Sequence, residues 1–388
     1  MCQKPQNDWT SDIQILKTLP TKSPMTNRAI WVDYAKAIGI LLVVYGHVAR
    51  GVWNAGIPFD QATYSLIDSV IYSFHMPLFF FLSGLFFNAS FQKYGAKNLL
   101  IGKLETIAYP YVVWSLLQGM MEVFLSKYTN GKVSFAEVLA LFWMPRAHFW
   151  FLYVLFLVFV VATLLHRCLQ LKSTSSRLRP LALVLLITSA LYVGNGNGSI
   201  AAPFPVDYLM AYFVFFALGI QSEQLAELIA KRPLLWLITS ACAFIAAQWG
   251  FHQGLGLTYL HQGLLSLLLA VISIGFICSI AVFLAQLSPS TAPAGLPSWL
   301  ALLSLIGSCS MTIYLMHVLV ASGLRIVLSK LLGVNDLAVH LLLGCLAGIA
   351  IPILIDRLSK RSAFSPLAYL FYPPRRLSLK PGSENKPG

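Results

Sequence analysis

Apolar and polar residues are arranged in long blocks along this chain. The first 27 residues are polar, and apolar runs then recur up to about residue 356. Runs of this length with few charges are typical of helices that cross a bilayer, because its hydrocarbon core takes about 20 helical residues to span. The pattern predicts ten spans, at 34–53, 65–88, 105–126, 148–166, 180–193, 207–221, 234–250, 263–286, 300–328 and 337–356. It also predicts a short interfacial helix at 134–144.

The block pattern divides the chain into a flexible polar tail at 1–27, a membrane domain at 28–358 and a basic tail at 359–388. The predicted fold is therefore all-α, a polytopic membrane helix bundle of about ten transmembrane helices. Composition supports this prediction, since 57% of the 388 residues are hydrophobic and only 11% are charged. A soluble domain carries about 25% charged residues, so the composition excludes a soluble enzyme with one buried core.

The positive charges set the expected orientation. The chain has 27 Lys and Arg against 14 Asp and Glu, a formal net charge of +13. If both termini are cytoplasmic, 21 of the 27 cations lie on the inner side, as the positive-inside rule requires. The excess of positive charge is therefore explained by the predicted orientation of the chain in the lipid bilayer. No nucleic-acid partner is expected, because such a partner needs a basic face or stripe.

The first span carries the densest set of polar side chains. Lys36 and His47 are eleven residues apart, so on a helix they share one face and lie about 16 Å apart along the axis. Asp33 is one turn before Lys36 and can pair with it. One interpretation is a tunnel, in which Lys36 holds an anionic ligand at the inner mouth and His47 acts as a base deeper in. The alternative is that Lys36 reaches the headgroups and His47 hydrogen-bonds a neighbouring helix.

The second span contains His75-Met-Pro77, and an apolar run then leads to Ser83-Gly84. Pro77 removes a backbone hydrogen bond and bends the helix. The backbone groups that it frees need partners, as they do in the lining of a cavity. The small pair Ser83-Gly84 allows another helix to approach closely. His75 is therefore either a functional imidazole or a structural hydrogen-bonding group at the bend.

Two further sites place imidazoles beside aromatic residues. Arg146, His148 and Trp150 begin the fourth span on the predicted outer side. They form either an ordinary aromatic belt or a contact surface for a polar substrate such as a sugar. In the ninth span Tyr314 and His317 lie one turn apart on one helix face, either as a polar seam between helices or as part of a site. The remaining histidines, His166, His252, His261 and His340, are treated as background.

The inner loop after the second span is basic and contains Lys93, Lys97 and Lys103. These lysines either bind phosphate groups or set the topology beside anionic lipid. The Cys and His residues show no spacing typical of a metal site, so no metal and no bound cofactor are expected. The six cysteines form no paired motif and are interpreted as small apolar filler.

Taken in order, these motifs resemble the acyltransferase 3 family of bacterial integral-membrane acyltransferases, and more narrowly its branch related to the nodulation fucose 4-O-acetylase. The resemblance covers about residues 28–358. Its motifs are Trp31-Val-Asp33-Tyr-Ala-Lys36 with His47, His75-Met-Pro77-Leu-Phe-Phe-Phe-Leu-Ser83-Gly84, Pro110-Tyr-Val-Val-Trp114, His148-Phe-Trp150-Phe-Leu and Ser310-Met-Thr-Ile-Tyr314-Leu-Met-His317. The family often has Arg at the position of Lys36. Lysine keeps the charge without the bidentate fork.

The resemblance implies a multi-pass enzyme of the bacterial inner membrane. Such enzymes transfer an acyl group, usually acetyl from cytoplasmic acetyl-CoA, to a sugar hydroxyl of an envelope or exported glycan or of a lipid-linked saccharide. The catalytic residues would be His47, as general base or transient acyl carrier, and His75. Acyl-CoA would be a co-substrate, bound by Lys36, Asp33, Arg28, Lys97 and Lys103. The acceptor would be bound by Arg146, His148, Trp150 and His317.

Two other classes of function compete with this one. A transporter or exporter of a glycan or a small polar solute would also carry polar groups in its spans. Transporters often show inverted repeats with helix breaks in matching positions, and this sequence shows only the break at Pro77. A structural or assembly factor would have no use for the polar stripe of the first span, which consists of Asp33, Lys36 and His47 on one helix face.

Overall fold

The computed structural model of the chain describes residues 27–124, 134–169, 174–287, 298–361 and 366–374. Within these ranges the chain is helical almost throughout and contains no strand. The helices are α1 (Asn27–Asn54), α2 (Gln61–Tyr72), α3 (His75–Gly84), α4 (Phe87–Lys103), α5 (Tyr109–Phe124), α6 (Phe135–Leu139), α7 (Trp150–Cys168), α8 (Thr174–Gly196), α9 (Val206–Gln221), α10 (Leu225–Ala230), α11 (Pro233–Trp249), α12 (Leu264–Gln286), α13 (Ser298–Ser308), α14 (Ser310–Ile326) and α15 (Leu337–Arg361). π-Helical turns follow at Leu104–Ala108, Gly250–Gly254 and Val327–Leu331.

Seven helical stretches in the described ranges are long and apolar enough to cross a bilayer. They are Ile30–Asn54, Gln61–Gly84, Phe135–Cys168, Pro233–Gly254, Leu264–Gln286, Ser310–Leu331 and Leu337–Lys360. Shorter apolar helices accompany them at Ala182–Gly196, Val206–Gln221 and Trp299–Ser308. The predicted all-α, polytopic helix bundle is confirmed. The count of ten spans and the cytoplasmic position of both termini stay predictions.

The structure changes two predicted boundaries. The apolar run at 300–328, predicted as one span, is divided at Cys309 into α13 and α14. The predicted inner loop after the second span is helical, because α4, a π-helical turn and α5 follow one another without a break in sequence. Gly95, with a φ of 70°, kinks α4. The positive φ is readily adopted by glycine, which lacks a Cβ.

The short helix expected at 134–144 is present as α6. It begins with a capping box: the Ser134 hydroxyl accepts the backbone N–H of Glu137, and the Glu137 carboxylate accepts the backbone N–H of Ser134. These bonds satisfy N–H groups that a helix start leaves unpaired. Phe142 and Trp143 follow and are exposed, as is typical of aromatic residues at a membrane interface.

α1 lies at the centre of the bundle. It packs against α3, α12, α13, α14 and α15. Tyr34, Ala35, Ala37, Ile40 and Val44 on α1 are completely buried. Because neighbours surround most of this helix, polar side chains on it such as His47 and Arg50 contact other protein groups.

α3 and α9 cross at very short distance. A Cβ added to Gly84 would clash with the backbone carbonyl of Phe216, and one added to Gly219 would clash with the backbone carbonyl of Phe81. Each helix therefore needs a glycine where it meets the backbone of the other. This confirms the close helix approach predicted from Ser83-Gly84, and it anchors the half of the second span that carries His75.

The outer faces of α8, α11 and α15 are apolar. Leu186, Ile245, Trp249 and Leu342 are more than half exposed. In water such faces would form unusually large apolar patches. In a bilayer they contact acyl chains, which agrees with the predicted membrane environment.

Candidate active site

A cavity of about 620 Å³ lies between α1, α3, α8, α9 and α14. Its volume is within the range of ligand pockets, about 300–1,000 Å³. Asn195, Asp207 and Gln262 contribute polar side chains at or next to helix ends that are predicted to be on the outer side. On the predicted topology the cavity therefore reaches the outer surface. Tyrosines on its wall are Tyr72, Tyr192, Tyr208, Tyr212, Tyr259 and Tyr314.

Three imidazoles meet beside this cavity, and we call them the histidine cluster: His47, His148 and His317. The ring centroids lie 5.1 Å apart for His47 and His317, 5.1 Å for His148 and His317, and 5.7 Å for His47 and His148. His148 and His317 are buried, and His47 is half-buried. The three residues come from α1, the turn before α7, and α14. The sequence indicates each of the three as a candidate, but only the folded structure shows that they are adjacent.

His75 lies on the wall of the cavity and also stabilises the bend before α3. Its Nδ1 lies 2.8 Å from the backbone carbonyl oxygen of Ile71. A carbonyl oxygen can only accept a hydrogen bond, so Nδ1 carries the proton and Nε2 is left with a lone pair. The Tyr72 ring packs edge-on against the imidazole, with centroids 4.5 Å apart. The structural and the functional interpretations of His75 are thus compatible.

His148 is held by its backbone rather than by its ring nitrogens. The Tyr314 hydroxyl donates to the His148 carbonyl oxygen. The preceding residue, Ala147, has a φ of 48°, which is rare for a residue other than glycine. Among the described residues neither ring nitrogen of His148 has a hydrogen-bond partner. The imidazole is therefore positioned with both nitrogens available.

Trp150 and Arg146, both candidates on the predicted outer side, have different positions relative to the cavity. Trp150 lines the cavity, and its ring centroid is 5.0 Å from those of both Tyr208 and Tyr212. Arg146 is not part of the cavity wall. Its Nη2 donates to the Glu122 carboxylate at 2.9 Å, which ties the turn before α7 to α5. Trp150 is thus placed to contact a ligand, whereas Arg146 supports the turn.

Arg50 lines the cavity, although the sequence places it only among the six cations of the predicted outer side. Its guanidinium makes two parallel bonds to the Asp68 carboxylate, at 2.7 and 2.8 Å, and donates to the Tyr259 hydroxyl at 2.9 Å. It also lies 3.3 Å from the centre of the Tyr72 ring. Arg50 follows His47 by three residues, and this helical spacing on one face is the signal that could have identified it.

The inner part of α1 carries the predicted anion-binding residues. The Lys36 ammonium lies 3.6 Å from the Asp33 carboxylate, as predicted. The Lys103 ammonium lies 4.1 Å from the centre of the Phe159 ring, level with the middle of α7 rather than in a loop. Burial, and after it the nearby charge of Lys36, lowers the pKa of Lys103 to about 8.

The other predicted donor-side cations contribute less. Lys97 is exposed on α4. Lys93 is also exposed, and its ammonium lies 5.1 Å from the centre of the Tyr94 ring. The side chain of Arg28 lies outside the described residues. From the predicted set the structure therefore pairs Lys36 with Asp33, and the charge of Lys36 also acts on Lys103.

The face of α1 between Lys36 and His47 is packed against other side chains. Val43 borders the cavity, whereas Ile40, one turn further in, is fully buried. On the adjoining side, the Phe79 ring lies against Gly39, where an added Cβ would be 3.0 Å from the ring. Packed apolar side chains therefore separate the Lys36 end of this face from the cavity, and the tunnel interpretation stays a prediction.

Comparison with known proteins identifies the family. A family profile described as an acyltransferase domain matches residues 29–357. The chain belongs to this acyltransferase family. The match includes α1 with His47, the cavity and the helices that enclose it. The protein is therefore a membrane acyltransferase, and the family resemblance drawn from the ordered motifs is confirmed.

The chain is also similar to curated proteins named glucans biosynthesis protein C. Relatives with this name come from Salmonella paratyphi B, Salmonella dublin and Salmonella typhimurium, and each is 23% identical over 176 residues. The similar region covers 42% of this chain and 46% of each relative. The chain thus spans about half the length of the curated relatives it matches. No solved structure matches the chain.

Proposed function

We propose that the protein is an O-acyltransferase, and specifically an O-acetyltransferase, of the bacterial inner membrane. It takes the acyl group from cytoplasmic acyl-CoA and transfers it to a sugar hydroxyl of an envelope or exported glycan. The observation that carries this proposal is the histidine cluster beside a polar cavity. His47 shares a helix face with Lys36, which lies about 16 Å further in along the axis.

The chemistry of the cavity wall supports a sugar acceptor. Sugar rings have apolar faces that stack on aromatic rings, and Trp150 with Tyr208 and Tyr212 offers three rings side by side. Sugar hydroxyls need donors and acceptors of hydrogen bonds, which Asn195 and Asp207 provide on the wall. The relatives' name refers to glucans, which are sugar polymers. A glycan acceptor satisfies both observations.

The inner end supports an acyl-CoA donor. CoA carries phosphate groups, and Lys36 and Lys103 offer two ammonium groups, the charge of Lys36 contributing to the lowered pKa of Lys103. Lysine binds phosphate as a point charge. Because the route along Ile40 is packed, the acyl-bearing arm of CoA must displace side chains to reach His47.

His47 reacts in one of two mechanisms. In direct transfer it removes the proton of the sugar hydroxyl, the oxygen attacks the thioester carbonyl carbon, the C–S bond breaks, and CoA leaves as a thiolate. In the covalent alternative an imidazole nitrogen attacks the thioester carbonyl carbon, the C–S bond breaks and CoA leaves; the sugar oxygen then attacks the acyl carbon, the C–N bond breaks, and the hydroxyl proton passes to the freed imidazole nitrogen. Both mechanisms place His47 at the reacting atoms.

The donor site is tested by paired substitutions of Lys36. We expect Lys36→Ala to raise the acyl-CoA concentration for half-maximal rate about tenfold, the effect of losing one charged, partly exposed hydrogen bond. Lys36→Arg should keep this value within about threefold, because it retains the charge. Steady-state rates of CoA release from purified protein give the measurement.

Lys93→Ala is the matched control for Lys36→Ala. Lys93 is an exposed lysine whose ammonium contacts only the neighbouring Tyr94 ring among the interactions described above. We expect the control to behave as the unchanged protein. An unchanged acyl-CoA requirement in Lys36→Ala would remove Lys36 from the donor site.

The acceptor site is tested at Arg50. Arg50→Lys keeps the charge but loses the two parallel bonds to Asp68, and it loosens Tyr259 on the cavity wall. We expect the acceptor concentration for half-maximal rate to rise about fivefold, since lysine replaces only part of the charged hydrogen bonding of this partly exposed guanidinium. The acyl-CoA requirement should change less than the acceptor requirement. Equal changes in both would assign Arg50 a general structural role.

A further inference from the structure

His317 is fixed more firmly than the other members of the histidine cluster. Its Nδ1 lies 3.0 Å from the carbonyl oxygen of Ile313 and 2.8 Å from that of Tyr314. Both carbonyl oxygens can only accept, so Nδ1 carries the proton and Nε2 presents a lone pair. The residue is completely buried. Within the described part of the chain, Nε2 has no hydrogen-bond partner.

His317 lies behind His47 rather than on the cavity wall. His47 and His148 are both wall residues, whereas His317 is not. The ring centroid of His317 is nevertheless 5.1 Å from each of theirs. At this separation a rotation of the His47 ring can bring one of its nitrogens within hydrogen-bond distance, about 3 Å, of the bare Nε2.

We infer that His317 is a positioning residue that selects the tautomer of His47. This inference rests on the proposed function of the histidine cluster. The Nε2 lone pair of His317 accepts a hydrogen bond from the protonated ring nitrogen of His47. The other nitrogen of His47 then points its lone pair at the cavity, where it meets the acceptor hydroxyl or the thioester.

Acyl transfer proceeds without a change in the charge of His317. In direct transfer the hydroxyl proton moves to His47, the hydroxyl oxygen bonds the carbonyl carbon, the C–S bond breaks, and the proton on His47 then neutralises the CoA thiolate. His317 keeps its own proton on Nδ1 throughout. It accepts a stronger hydrogen bond while His47 is positively charged.

A neutral imidazole suits this position better than a carboxylate. The positioning group of a Ser-His-Asp triad is an aspartate, which fixes the tautomer of its histidine. An unpaired carboxylate in this buried place would be strongly destabilising, because burial of a charge without a partner costs several kcal/mol. Two backbone carbonyls orient the His317 ring instead, so a strong acceptor is obtained without a buried charge.

Two substitutions at His317 test the inference. His317→Leu fills the space without an acceptor, and His317→Gln retains an acceptor oxygen. We expect Leu to lower kcat about tenfold while the KM for acetyl-CoA changes less than twofold, and Gln to restore most of kcat, because one neutral hydrogen bond is removed or kept. His340→Leu is the control, since His340 is also buried and bonds a backbone carbonyl, that of Val334. The control should leave kcat of the folded protein unchanged.

The tautomer itself is measured independently of activity. Solid-state NMR of protein with ¹⁵N-labelled histidine, in lipid bilayers, reports which ring nitrogen of His47 carries the proton. The His47 signals are identified by their absence in His47→Ala. We expect one tautomer in the unchanged protein and in His317→Gln, and a mixture in His317→Leu. A single tautomer in all three, or full kcat in His317→Leu, would overturn the inference. Absence of acyl transfer by the unchanged protein would instead contradict the proposed function.

Discussion

His47→Ala should lower acyl transfer by about 10²–10⁴-fold, the contribution of a positioned proton-transfer group, while the protein remains folded. The side chain is half-buried and its ring packs against His148, His317 and Tyr72. Its removal takes from the histidine cluster the imidazole to which the reaction is assigned. The rate of acyl transfer from labelled acetyl-CoA to purified glycan, with thermal unfolding as the check on folding, gives the measurement.

The control for His47→Ala is His166→Ala. The His166 ring packs on Phe91, with centroids 4.2 Å apart, at the opposite end of α7 from the cavity. We expect this variant to retain more than half of the activity of the unchanged protein. Full glycan acylation by His47→Ala would remove His47 from catalysis.

Gly84→Ala should have the largest effect on folding among single methyl additions at α3. The new Cβ would clash with the backbone carbonyl of Phe216 and lie 3.1 Å from the backbone nitrogen of Ile220. A backbone atom cannot rotate away, so α3 and α9 must separate. Overpacking typically costs about 1–3 kcal/mol, occasionally more, and we expect the upper end. Thermal unfolding in detergent and the yield of folded protein measure it.

Gly275→Ala on α12 is the matched control for Gly84→Ala. An added Cβ at Gly275 meets no atom within 4 Å. Alanine is favoured over glycine in a helix by about 1 kcal/mol, so the control should be neutral or slightly stabilising. Equal stability of the two variants would contradict the close crossing of α3 and α9.

Local periodicity was enough to predict the polar stripe of α1. The Lys36–Asp33 ion pair and the shared face with His47 depend only on the 3.6-residue helical repeat. The close helix approach at Gly84 was likewise predictable from sequence, because small residues in a membrane span commonly lie where another helix packs closely. These features are local in sequence, and the structure confirms the ion pair and the close approach.

The site as a whole depends on contacts that are distant in sequence. His148 and His317 reach His47 from two other elements, and no spacing rule predicts their meeting. The pairing of Arg50 with Asp68 at the cavity is not predictable from sequence, where Arg50 contributes only to the charge balance of the outer side. Lys103 falls between two predicted spans, so the sequence predicts a loop position for it. The structure places it beside Phe159 instead, since α4 continues into α5.

We propose that donor and acceptor bind at opposite ends of α1 and that transfer occurs at His47. Proteoliposomes that hold the protein in one orientation test this most directly, with glucan trapped inside and labelled acetyl-CoA supplied only at the end that carries Lys36. We expect labelled glucan in the interior, and none with His47→Ala. Label that stays in acetyl-CoA while unmodified glucan crosses the membrane would contradict acyl transfer and indicate a transporter.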